Sequence, residues 1–150
     1  MHNPRMADDA LTVVLADAHR DPRSGLRDSL ESAEITILAE AHDADEAVEL
    51  ALDLRPSVCV IDMQAGDRAG LAAAAVLARV CESTSIVLVA DDLTVADVLD
   101  ALRAGAAGCV ARSAGGGAVV AAVVAAAAGE AAFPRRELRQ ALGFLLPQVA

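Results

Sequence analysis

Five short runs of Val, Ile, Leu and Ala recur along the chain between longer stretches with helical spacing, and this alternation constrains the fold more than any other feature. The runs are Leu11–Ala16, Ile35–Ala39, Val58–Ile61, Ile86–Val89 and Ala107–Ala111. Their apolar character is continuous rather than alternating, which predicts parallel strands covered on both faces. The intervening stretches predict helices over Pro22–Ser32, Asp43–Leu54, Gly70–Cys81, Thr94–Ala104 and Gly116–Ala128. Asp21-Pro22 supplies a cap and then proline at a first helical position. Arg55-Pro56 stops the second helix, and Gly105 ends the fourth in a left-handed conformation. In the second helix Ala44, Ala47, Val48, Ala51 and Leu52 form an apolar stripe, while Asp45, Glu46 and Glu49 face water. Strands and helices alternating in this way, joined by right-handed crossovers, predict an α/β fold. It is a doubly wound five-stranded parallel sheet of order 2-1-3-4-5 with helices on both faces.

A length of 150 residues suits one such domain. We place it at residues 10–132, between an N-terminal tail (1–9) and a C-terminal helical tail or linker (133–150). The only aromatics, Phe133 and Phe144, lie near the C-terminus, so the core must be built from Ala, Val, Leu and Ile. Cys59, Cys81 and Cys109 are widely spaced in apolar surroundings and read as buried thiols, not as a metal set or a disulfide. The formal charge of −10 argues against a nucleic-acid binder acting alone, with Arg135, Arg136 and Arg139 a local basic exception. The opening MHNPRMADDA lacks a signal core, and the most apolar stretch, Ala114 to Gly129, is too short and too weakly apolar to cross a bilayer. A cytoplasmic protein without membrane contact is the expectation.

The fifth helix, with AVVAAVVAAAA, is apolar all round, so one face remains after packing on the sheet. Two covers are open. One is the chain's own tail, where Leu138, Leu142, Leu145 and Leu146 fall at near-helical spacing before Pro147; the other is a second copy, giving a homodimer through this helix and tail.

In open parallel sheets, sites form beyond the carboxyl ends of the strands where strand order reverses. Asp17 follows the first strand and Asp62 the third, which are neighbours in the expected order. Asp91 and Asp92 follow the fourth strand; a solvated loop before a helix cap at Thr94 is the favoured reading, with a lean toward the crevice as the alternative. His19 has no Cys or His partner nearby, and Ser113–Gly117 lacks the Lys-Ser/Thr of a phosphate loop. With no nucleophile–base pair and no cofactor loop, an enzyme is not expected.

The segments LADAHR (Leu15–Arg20), SVCVID (Ser57–Asp62), DALRAGAAGCVARSA (Asp100–Ala114) and AAAAGEAAF (Ala125–Phe133) occur in a recognisable order. Over about residues 10–132 the chain resembles the receiver domain of bacterial two-component response regulators, especially those of LuxR-type transcription factors. The resemblance implies that Asp62 matches the aspartate phosphorylated by a histidine kinase. It implies metal ligation by Asp17, Asp62 and the Gln64 backbone carbonyl. Ala18 stands where the family has a second acid, a direct magnesium ligand. Ala90 replaces the hydroxyl residue that contacts the phosphoryl group, Arg112 replaces the usual lysine, and Cys109 replaces a bulky signalling aromatic. Gly66 to Gly70 (GDRAG) replaces a proline-containing turn.

Magnesium requires near-octahedral oxygen ligation and neutralises charge in phosphoryl transfer. With no oxygen at Ala18, Mg2+ binding is expected to be weak or absent, and no other cofactor is expected. An Arg112 bridge to Asp17 or Asp62 would take the metal's place. The main expectation is therefore an atypical receiver, a regulatory and dimerisation module independent of standard Mg-dependent phosphorylation, belonging to a transcription regulator. Two alternatives stay open. One is a phosphoacceptor switched by a histidine kinase at Asp62; the other is a small-molecule-binding domain using Arg112 as anionic anchor. DNA contact would fall to a C-terminal domain that this sequence lacks.

Overall fold

The Val58–Asp62 run has no polar residue until its last position, and it becomes the central strand. The computed structural model describes residues 10–17, 25–64 and 68–146. Strands β1 (Thr12–Ala16), β2 (Thr36–Glu40), β3 (Val58–Asp62), β4 (Ser85–Ala90) and β5 (Gly108–Ala111) form one sheet of order β2-β1-β3-β4-β5. Every neighbouring pair is parallel. The helices are α1 (Leu26–Ser32), α2 (Ala44–Leu54), α3 (Ala69–Val80), α4 (Val95–Ala104), α5 (Gly116–Ala127) and α6 (Arg135–Leu145). The doubly wound α/β fold expected from the alternation is the one observed.

Side chains alternate across the sheet and divide the core in two. Val14, Cys59, Ile61, Leu88 and Cys109 cluster with α2, α3, α4 and α6, whereas Val13, Val58, Val60, Val87 and Val89 cluster with α1 and α5. Helix ends follow the local chemistry. The Asp43 side chain accepts from Glu46 N–H to start α2, and Arg55 ends it at φ 47° just before Pro56. Thr94 and Asp97 close a reciprocal cap on α4, and Gly105 ends that helix at φ 85°. The proposed cap at Asp21-Pro22 lies outside the described residues.

Three expectations need correction. β2 is not covered on both faces: it is an edge strand whose Thr36, Leu38 and Glu40 are exposed, with no sixth strand or further helix beyond it among the described residues. On α2, Ala44, Ala47, Val48 and Ala51 pack inward as expected, but Leu52 is exposed and Leu50, on the other flank of the stripe, packs against the core in its place. The third concerns the tail. It does not cover α5 but packs on α4, with Ala141 fully buried and Phe133 and Leu138 partly so. Leu142, Leu145 and Leu146 remain exposed.

The backbone explains this route. After Gly129 (φ 82°), Ala132 pairs with the free edge of β5, its N–H donating to the Ala107 carbonyl (3.0 Å) and its carbonyl accepting from Cys109 N–H (3.0 Å). A Cβ on Gly108 would fall 2.2 Å from the Ala132 carbonyl oxygen, so glycine permits this approach. The chain is thereby carried across the sheet edge to the α4 side.

Candidate functional site

Because all strands are parallel, the residues that end them converge on one rim. Asp17 follows β1, Asp62 is the last residue of β3, Asp91 follows β4 and Arg112 follows β5. β1 and β3 are adjacent, and the switch in strand order falls between them. The structure brings Asp17 and Asp62 together as the sequence suggested, with their side chains 8% and 4% exposed.

The Arg112 guanidinium joins them. Its Nη2 donates to Asp17 Oδ1 and to Asp62 Oδ2, the latter at 3.1 Å, and its Nη1 donates to Asp91 Oδ1 at 3.1 Å. The other Asp62 oxygen, Oδ1, accepts from Gln64 N–H at 2.8 Å. Arg112 Nε is buried without a hydrogen bond among the described residues, a cost that offsets part of the gain from the ion pairs. A single planar cation thus spans three strand ends. The fork that makes this possible belongs to arginine; a lysine ammonium is a point charge.

Asp91 is the residue that sequence reasoning undervalued. Its side chain is 60% exposed, as a solvated loop residue should be, yet it is also paired with Arg112. The signal was present: it immediately follows a strand, as Asp17 does. Asp92 lies elsewhere, beside Leu93 in a groove between α5 and α6. Ala90 is fully buried at the end of β4 and brings no hydroxyl to the rim. Ala18, His19 and residues 66 and 67 of the GDRAG turn lie outside the described residues.

These contacts bear on magnesium, which the resemblance implies. Among the described residues no group of three or more His, Cys, Asp or Glu side chains is arranged to hold a metal ion. One carboxylate oxygen of Asp17 and one of Asp62 are already engaged by the guanidinium. The small-molecule alternative meets the same obstacle, since Arg112 is held by three carboxylates and does not stand ready as an anion anchor.

All three cysteines are free and buried, as expected. Burial pushes the thiols of Cys59 and Cys109 up to about 12, with minor help from Cys81 for the first and from Asp97 and Glu137 for the second. The folded chain keeps these protons where an unfolded thiol, near 9.0, releases them. The resulting stabilisation is complete below 9.0 and is lost as pH climbs toward about 12. Urea midpoints of wild type should fall over that window more steeply than those of a Cys59→Ala/Cys109→Ala double variant. Parallel curves would contradict this account.

Comparison with known proteins agrees with the geometry. Residues 13–124 match the response regulator receiver domain family. An uncharacterized transcriptional regulatory protein of Bacillus subtilis, YxjL, is 31% identical over 104 residues, which cover 69% of this chain and 48% of that protein. The chain thus spans about half the length of the curated relative it matches. The receiver domain of the response regulator NarL from Mycobacterium tuberculosis superposes with a TM-score of 0.72 at 30% identity, covering 80% of this chain and 98% of that one. A LuxR-family response regulator from Aurantimonas sp. SI85-9A1 gives 0.77 at 27% identity, covering 89% and 96%. The family match runs from β1 into α5 and takes in most of the sequence, and on that ground the chain belongs to the response regulator receiver domain family.

Proposed function

We propose that this chain is the receiver module of a transcription regulator and that its site is held by Arg112, independently of Mg-dependent phosphorylation of Asp62. The observation that carries the reading is the guanidinium shared by Asp17, Asp62 and Asp91. A divalent ion needs the same carboxylate oxygens, and the residues present do not fit it while Arg112 occupies them. The regulatory role rests on the family and on its relatives, whose names speak of transcriptional regulation and of the LuxR group. Receiver domains are signalling modules that partner with histidine kinases, and nothing in the comparisons points to catalysis.

Incubation with acetyl phosphate and magnesium, followed by intact mass measurement, tests the proposal. Wild type is expected to stay unmodified, while Arg112→Lys, which frees part of the crevice, gains one phosphoryl group. Modification of wild type that disappears in Asp62→Asn would instead establish the second reading, a working phosphoacceptor. That reading has its own support: Asp62 ends the central strand, and its Oδ1 is oriented by Gln64 N–H.

Homodimerisation through α5 and the tail is part of the same proposal. The tail leaves α5 uncovered, Val124 is 49% exposed, and Phe144 and Leu146 on the tail are 72% and 64% exposed. Sedimentation equilibrium should show a dimer that Val124→Asp/Phe144→Asp converts to monomer; a monomeric wild type at high concentration removes the idea.

A further inference from the structure

The detour of the tail onto α4 leaves a groove between α5 and α6, roofed by neither helix, with a volume of ≈ 560 Å³. That volume lies within the range of small-molecule sites, roughly 300–1,000 Å³. Its floor is β5, from Cys109 to Ala111, and one wall is the alanine face of α5, including Ala118, Ala121 and Ala125. Phe133 and Pro134 form the opposite wall. Small side chains on α5 make the space; a helix with leucine at those positions would fill it.

The charged side chains on the lining are both acidic, Asp92 by the β4 loop and Glu137 in the first turn of α6. Among the described residues neither forms an ion pair. Glu137 is partly withdrawn from water, where a charge discriminates more strongly between partners than at a fully solvated position. The chain as a whole carries −10, which raises the local concentration of cations.

We propose that this groove binds a small amphipathic cation, its apolar body on the alanine wall and its ammonium group at Glu137. The site is separate from the Asp17–Asp62 crevice, and the inference goes beyond the functional reading above without depending on it. A neutral apolar ligand would leave both carboxylates unmatched, and an anion would meet two like charges.

Fluorescence titration with dansylcadaverine and with dansyl-aminocaproate, probes that share a fluorophore and end in an ammonium and a carboxylate, provides the test. The ammonium probe is expected to bind one site saturably, roughly tenfold more tightly than the carboxylate probe. Glu137→Gln should bring the two affinities together. Ala121→Phe, at an exposed position on the groove wall, should abolish binding of both; should that variant not fold by circular dichroism, Ala118→Leu serves the same purpose. Absence of saturable binding, equal affinities in wild type, or binding indifferent to the groove-filling variant would each overturn the proposal. A preference that vanishes in high salt would also overturn it, assigning the attraction to the diffuse surface charge.

Discussion

Arg112→Ala is expected to destabilise the domain by about 3–5 kcal/mol at neutral pH, the cost of leaving partners of a buried ion pair without their counter-charge. Asp17 and Asp62 are both nearly buried, and one guanidinium nitrogen serves them together. Asp91, mostly in water, contributes little of this total. The loss should be partly reversed by millimolar magnesium, because the two carboxylates then have room for a divalent ion that binds only the folded chain. Wild type should show no such dependence. Urea unfolding of both proteins, with magnesium and with a chelator, decides the matter. A wild type that gains as much from magnesium as the variant would mean that the arginine does not stand in for the metal.

Gly70→Ala is expected to cost about 3 kcal/mol, at the upper end of what an extra methyl group does in a packed interior. A Cβ at this position would lie 2.0 Å from the Asp62 carbonyl oxygen and 3.0 Å from Met63 Cα. Both neighbours are backbone, so relief requires α3 to retreat from β3, at the residue that supplies the site's central carboxylate. Gly117→Ala offers the matched control. Nothing lies within 4 Å of a Cβ there, and it should stabilise α5 by about 0.5–1 kcal/mol. Equal urea midpoints for the two variants would show that the close approach of α3 is not a constraint.

Much of this structure could be read from residues alone. Strand positions, the order 2-1-3-4-5 and the meeting of Asp17 with Asp62 follow from continuous apolar runs and from the rule that parallel strands share one functional rim. Which leucine flanks the α2 stripe was not legible, because Leu50 and Leu52 are equally apolar and only the angle at which α2 lies on the sheet chooses between them. The course of the tail was hidden for a different reason. Its leucines have helical spacing, but its destination depends on a backbone pairing between Ala132 and β5 that carries no side-chain signature beyond the glycine at 108. For Asp91 the difficulty was one of weight: cap, loop and ion-pair roles all suit an aspartate after a strand, and the fork of Arg112 selects the last.

The pairing at Ala132 has a consequence for where such a domain may be cut. The family match stops at residue 124, inside α5, whereas the last backbone partner of the sheet comes eight positions later. A fragment trimmed to the homologous region would present the outer margin of β5 with its amides bare, an open template for strand addition by another chain. In this protein the residues after the homologous block act as a selvedge, finishing the fabric of the sheet so that it does not unravel or join to its neighbour.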